Sequence, residues 1–301
     1  MAREIIVGPL GEREAQQQVF PPQNCRIIPA EKSGGVVMDL KLNDKLALVT
    51  GSTAGIGLAI AESLAAEGAR VIVNGRSEAR VAGAMEKIRQ AHPQASLVGL
   101  ATDLATPEGA QETIQRFPAV DILVNNLGIY EHRLFEDISD AHWQAIIEVN
   151  FMSGVRLSRH YLPRMKSADW GRIIFLSSES GVNIPVEMIH YGVTKAMYLA
   201  LSRGLAETTS GTGVTVNAVL PGPTRSEGVK QFIKELGEDK GLTPEEMEKE
   251  FFRSVRPTSL LQRFATTAEV ANLVTYLASP LASATNGAAL RVDGGVVRSM
   301  V

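Results

Sequence analysis

Seven short apolar runs, spaced by stretches of helical periodicity, constrain this chain more than any other feature. They fall at 46–49, 71–73, 96–100, 120–124, 173–176, 214–219 and 289–292. Each has the length of a strand, and most are followed within three residues by Gly, Asn, Asp or Pro. Residues 58–67, 77–91, 140–165, 191–209 and 268–278 carry the 3.6-residue pattern instead. Buried strands that alternate with helices need crossover connections, so they pack as a parallel sheet covered on both faces. With 301 residues, 45% of them hydrophobic, the chain can fill one large core. The expectation is α/β: a doubly wound parallel sheet in a single domain.

The turn after the first run reads Thr50-Gly51-Ser52-Thr53-Ala54-Gly55-Ile56-Gly57 and leads straight into a helix. A glycine-rich turn between strand and helix lets backbone N–H groups approach a pyrophosphate at the helix N-terminus. The second run ends in Asn74-Gly75-Arg76. In dinucleotide-binding folds an acidic residue there holds the ribose 2′-OH of NAD, and a basic one suits the 2′-phosphate of NADP. Gly75 stands at the acidic position with Arg76 beside it. Guanidinium matches phosphate well, so NADP(H) is the preferred reading, with NAD(H) possible. Asp103 and Leu104, after the third run, are placed to contact adenine, or Asp103 simply leads into the next helix.

Residues 172–195 hold the chemistry. The run 173–176 ends in Ser177-Ser178, and a helical segment then carries Tyr191 and Lys195. Four residues apart on a helix, these two project from one face. A phenol titrates near 10, too high for acid–base work at neutral pH. An ammonium about 4 Å away, at an effective dielectric of roughly 20, favours the phenolate by about 4 kcal/mol. Lys195 is therefore expected to pull Tyr191 toward neutrality. Ser178 would hold a carbonyl oxygen while Tyr191 delivers its proton. In the 140–165 helix, Asn150 is a middling-to-poor helix former with Gly154 four residues on. Either that helix is distorted there, or Asn150 fills a surface slot.

Net charge is −3, and no block of Lys and Arg marks a nucleic-acid or anionic-membrane partner. Cys25 is the only cysteine, so no disulfide within the chain and no cysteine metal cluster is possible. No apolar run approaches a membrane span, and the N-terminus lacks a signal-peptide core. The expected location is cytoplasmic. Residues 1–37 fit no domain pattern and read as a disordered or loosely docked tail, with Met38 a candidate start, leaving 38–301 as the domain. Residues 225–265 read as a charged insertion of two short helices, a lid over the substrate.

TGSTAGIG, NNLG, Ser178, YGVTK and PGPT, in this order, resemble the short-chain dehydrogenase/reductase family over residues 39–298. The resemblance implies a three-layer, Rossmann-type sheet of seven parallel strands and hydride transfer between a nicotinamide and a carbonyl or secondary alcohol. It implies a cofactor site at Thr50, Gly51, Ser52, Gly55, Ile56, Gly57, Arg76, Asp103, Leu104, Asn125, Gly128, Tyr191, Lys195, Pro221, Gly222 and Thr224. Asn150, Ser178, Tyr191 and Lys195 match the catalytic set. Tyr191 is then acid or base, Ser178 positions the carbonyl, Lys195 binds ribose, and Asn150 holds a water in a proton relay. A homodimer or homotetramer is also implied.

This chain departs from the family at Leu127, in place of the usual Ala of NNAG; at Ser226, where Thr is usual, though Thr224 could substitute; and at Glu179 after the catalytic Ser. Glu179 is expected to face outward as a solvated loop residue; the alternative, that it faces the pocket, would favour a polar or cationic substrate or perturb Tyr191. Tyr130, His132, Glu187, Met188 and His190 are expected to line the substrate pocket. A 3-oxoacyl thioester, a steroid-like ketone and a polyol-derived ketone all fit. The rival reading is a regulator that binds NADP(H) without turnover. Retention of all four catalytic side chains argues against it.

Overall fold

The computed structural model describes residues 39–300. The proposed tail and Met38 lie outside the described residues. The strands are β1 (Leu46–Val49), β2 (Arg70–Gly75), β3 (Leu97–Ala101), β4 (Ile122–Asn125), β5 (Gly171–Leu176), β6 (Val214–Pro221) and β7 (Ala289–Val292). They form one sheet in the order β3-β2-β1-β4-β5-β6-β7, every pair parallel. The order turns outward in opposite directions from β1 and β4. Their C-terminal ends therefore open a crevice between diverging crossovers.

The helices among the described residues are α1 (Gly55–Ala66), α2 (Glu78–Ala91), α3 (Pro107–Arg116), α4 (Asp140–Ile147), α5 (Ser153–Ser167), α6 (Ile189–Glu207), α7 (Glu227–Lys240), α8 (Pro244–Ser254) and α9 (Thr267–Ala278). Successive strand residues point to opposite faces, and this divides the core in two. Ala47, Val49, Val71, Val73, Ile122 and Val124 meet Ile60 and Leu64 of α1, Val81 and Ile88 of α2, and Val270 and Val274 of α9. Leu48, Ile72, Leu123, Ile173 and Phe175 meet Ala110 of α3, Leu157 and Tyr161 of α5, and Tyr198 of α6. Each fully buried Leu, Ile or Val contributes about 1.5–3 kcal/mol against entropy.

The stretch expected as one helix over 140–165 is α4 and α5 joined by a wide π-helical turn, Glu148–Met152, with Asn150 fully buried inside it. The surface-slot alternative is thus wrong. Four residues on, Gly154 makes room for Tyr198: a Cβ there would lie 2.5 Å from the Tyr198 hydroxyl oxygen.

Residues 225–265 leave and rejoin the sheet at one place. Thr224 and Ala265 pair as an isolated parallel bridge, and Ala265 N donates to Pro223 O at 2.9 Å. Beyond that base, α7 and α8 enclose a small core of their own, built from Ile233, Met247, Phe252 and Phe264. Pro244 opens α8 behind a Thr243–Glu246 capping box, as such a sequence dictates.

Candidate active site

The glycine turn owes its shape to side chains that tie three strand ends together. Ser52 Oγ donates to Val49 O at 2.7 Å and accepts from Asn74 N at 2.9 Å. Asn74 is 2% exposed; its Oδ1 accepts from Gly51 N at 3.0 Å, while its amide donates to Leu100 O and Thr102 O. Gly51 and Gly55 have φ of +63° and +59°, a region L side chains avoid. A Cβ on Gly57 would lie 2.5 Å from Gly51 O and 2.4 Å from Asn126 Nδ2, so only glycine closes this turn. The α1 N-terminus has no side-chain cap and no acidic residue in its first turn. Its N–H groups and dipole are thus open to an anion.

Several cofactor candidates act in this staple. Thr50 Oγ1 accepts from Asn126 N and Leu127 N, both at 2.9 Å. Leu127 changes packing as well, closing onto Gly51 with its side chain. The Asn125 side chain turns away from the cavity to donate to Ser158 Oγ at 3.2 Å, so it braces β4 against α5. It is Asn126, passed over in the sequence reading, that lines the cavity and binds Thr50 O and Gly51 O. The adjacent Asn pair was the available signal; strand alternation decides which member faces the site. Leu104 is 1% exposed within the second core, leaving only its backbone for adenine. Asp103 Oδ1 accepts from Ala105 N at 3.0 Å, and Thr106 rather than Asp103 caps α3. Gly75 lies against Thr53, whose methyl would be 2.4 Å from a Cβ there, so an acidic side chain does not fit without rearrangement. Arg76 beside it is exposed and has no hydrogen bond or ion pair among the described residues.

A cavity of about 700 Å³ opens at the C-terminal ends of β4, β5 and β6. Ser178 and Glu179 come from the end of β5, Tyr191 and Lys195 from α6, and Pro221, Gly222 and Thr224 from the end of β6. Ile56 and Gly128 line it too. The Ser178 hydroxyl accepts from Ser180 N at 3.1 Å and is near enough to the Tyr191 phenol to lower its proton affinity. Lys195 Nζ donates to Leu176 O at 2.8 Å and lies 5.6 Å from the Tyr191 ring centre. A Cβ on Gly128 would sit 3.4 Å from Lys195 Nζ and 3.5 Å from Asn150 Oδ1, so all three groups converge. The Asn150 side chain is fully engaged: Oδ1 accepts from Ile129 N at 2.7 Å, and Nδ2 donates to Ile129 O and Thr194 Oγ1.

Burial pushes the Tyr191 phenol up to about 12, against a downward pull from the nearby Ser178 hydroxyl and with Glu179 adding to the rise. Burial pushes the Lys195 ammonium down to about 8. The expected descent of Tyr191 toward neutrality is therefore not what this geometry gives. The ammonium is directed at the Leu176 carbonyl, and desolvation penalises both charged forms. At neutral pH Tyr191 is a protonated phenol beside a charged Lys195.

Two expectations about the pocket are corrected. Glu179 is 3% exposed and lines the cavity. Its Oε1 accepts from Arg256 Nε at 3.1 Å. Burial pushes its carboxyl up, and Arg256 offsets part of that rise. No local signal marks this pair, because its members lie 77 positions apart. His190 turns out of the cavity, one helical step from Tyr191, and packs edge-on against Trp143 with ring centres 6.0 Å apart. Tyr130, His132, Glu187 and Met188 do line the cavity, as do Thr224 and Ser226. Residues 225–265 supply Val229, Phe251, Val255, Arg256 and Phe264 to its wall.

The model of the short chain dehydrogenase family matches residues 45–237. The chain belongs to that family. It is 52% identical over 263 residues to the uncharacterized oxidoreductase YvaG of Bacillus subtilis, covering 87% of this chain and 100% of that one. It is 36% identical over 261 residues to a D-beta-hydroxybutyrate dehydrogenase of Cupriavidus necator, covering 85% and 99%. The L-sorbose reductase of Gluconobacter frateurii, solved with NADPH and L-sorbose, superposes with a TM-score of 0.81 at 32% identity, covering 87% of this chain and all of that one. This chain is thus a short-chain dehydrogenase/reductase enzyme with the seven-stranded fold of its family. Among the described residues no helix is long and apolar enough to cross a membrane, and no group of three His, Cys, Asp or Glu is placed to hold a metal.

Proposed function

We propose that the cavity reduces a ketone to a secondary alcohol with NADPH. The observation that carries this reading is that Ser178, Tyr191 and Lys195 line one cavity beside the glycine turn. The turn fits a dinucleotide: its glycines leave no room for side chains, and the α1 N-terminus is uncapped. NADPH supplies a hydride there. Gly51, Ser52, Gly55, Ile56 and Gly57 hold its pyrophosphate side; Gly128, Pro221, Gly222 and Thr224 hold the other end. Asp103 and the Leu104 backbone meet adenine, and Arg76 pairs with the 2′-phosphate.

Ser178 donates to the substrate carbonyl oxygen. Tyr191, protonated at neutral pH, donates to the same oxygen as negative charge develops on it. The Lys195 ammonium stabilises the phenolate so formed. Asn150 fixes the 128–129 backbone against α6 and so keeps the Lys195 chamber open, beside the water path that returns the proton. The protein is a homodimer or homotetramer in this reading.

Fluorescence titration with NADPH and with NADH, in wild type and Arg76→Ala, tests the cofactor half. The expected result is tighter NADPH binding in wild type and a loss of about tenfold or more in the variant, the worth of one charge-assisted contact. Equal binding of both cofactors by wild type would remove the NADPH assignment.

A further inference from the structure

Beyond Tyr191 and Lys195, five ionisable groups line the cavity, Tyr130, His132, Glu179, Glu187 and Arg256, and the last three meet in one corner. Arg256 is already engaged at two of its three guanidinium nitrogens. Its Nε donates to Glu179 Oε1 at 3.1 Å, its Nη1 donates to Val255 O at 3.0 Å, and that same nitrogen lies 3.9 Å from Glu187 Oε1. Glu179 takes a second hydrogen bond, from Ser180 Oγ at 3.2 Å. Lys195, the one other lysine or arginine lining the cavity among the described residues, is bound to Leu176 O. Glu187 differs: its side chain is 35% exposed, and its carboxylate accepts no hydrogen bond among the described residues.

The charge balance follows whichever way Glu179 titrates. With Glu179 ionised, two carboxylates face one guanidinium. With Glu179 protonated, Arg256 is balanced by Glu187. In neither state is the Arg256–Glu179–Glu187 cluster net positive, so within it an added carboxylate would meet like charge or a balanced pair in a partly desolvated site. A hydroxyl meets the opposite situation, because Glu187 offers it a charged acceptor.

We propose that the substrate is a neutral, polyhydroxylated ketone, and that Glu187 selects it by accepting a hydrogen bond from one of its hydroxyls while Glu179 keeps Arg256 from serving an acid. This rests on the ketone-reductase reading above. It separates this site from those for keto acids and for acyl thioesters, whose carriers are anionic.

The test is steady-state NADPH oxidation by the full chain with five probes: L-sorbose, D-fructose, acetoacetate, acetoacetyl-coenzyme A, and diacetyl as a ketone with no hydroxyl. Wild type is expected to favour a ketose over acetoacetate and over the thioester by about tenfold or more, the worth of one charge-assisted hydrogen bond. Glu187→Ala should lower the ketose-to-diacetyl ratio of kcat/KM by about tenfold, mainly through KM, and Glu187→Gln should restore part of it, because its amide oxygen still accepts. Glu179→Gln, nearly isosteric, removes a charge beside Arg256 and should raise the acetoacetate-to-ketose ratio. Any effect of either variant on Tyr191 acts on all probes and cancels in these ratios. The proposal is overturned if wild type prefers acetoacetate or the thioester, or if Glu187→Ala leaves the ketose-to-diacetyl ratio unmoved. Reduction of diacetyl with no ketose reduced sinks this inference and leaves the reductase standing. Reduction of none of the five sinks both.

Discussion

The cavity floor comes from the ends of β4, β5 and β6 and from one side of α6, whereas much of its roof comes from residues 225–265. The floor is tied to the two main cores, so Asn150 and Lys195 are each held by buried hydrogen bonds to neighbouring elements, and Ser178 by one within its own turn. The roof rests on its own core of four buried side chains and touches the floor through the Arg256–Glu179 pair. Floor positions are over-determined by the fold, so their chemistry is fixed. Roof positions are set by a small local core, which can be exchanged without disturbing the sheet. In the proposed reading, chemistry rests on the floor alone, whereas substrate choice falls where floor and roof meet, at Glu179, Glu187 and Arg256.

The largest effect is expected at the floor. Gly57→Ala places a Cβ against Gly51 O, which is backbone and cannot yield cheaply. NADPH affinity should fall by about a hundredfold or more, a loss of about 2.7 kcal/mol, measured by titration. Retained affinity would mean that the turn is looser than its packing indicates. In the roof, Phe252→Ala removes a ring that is 1% exposed and should cost about 3 kcal/mol. That loss should fall on the insertion alone: hydrogen exchange in α7 and α8 should rise while the sheet stays protected, and KM should rise more than kcat falls. A cooperative loss of the whole domain would show the two regions to be one unit.

A smaller effect comes from pH. Lys195, pushed down to about 8, is charged below that value and loses its charge as pH rises through it. Tyr191, at about 12, stays protonated across this range. Reduction should therefore be level below pH 8 and fall about tenfold per unit above it, with the limb moved upward in Lys195→Arg. Because the two groups face each other, the limb reports the pair. Least is expected of Thr243→Ala, which removes the α8 cap and should cost about 1 kcal/mol, again confined to the roof.

The same division governs what the sequence made legible. Strand–turn–helix alternation and the Tyr191–Lys195 spacing are local patterns, and the sheet and the glycine turn follow from them, whereas the burial of Asn150 does not, so a surface slot stayed open for it. Glu179 was misread because its partner comes from the insertion, 77 residues along. His190 was misplaced because a single helical step reverses which wall a side chain faces. Asn125 and Asn126 exchanged roles for the equivalent reason in a strand. The Tyr191 proton affinity was misjudged because spacing gives proximity to Lys195 but not the burial that both groups share.

The most direct measurement takes Tyr191→Phe and follows NADPH binding and ketone reduction in one preparation. Removing only the hydroxyl should leave NADPH affinity within about threefold of wild type while turnover drops by about a thousandfold, the weight of a positioned proton donor. Turnover near the wild-type rate, with binding intact, would contradict Tyr191 as the acid on which this account is built.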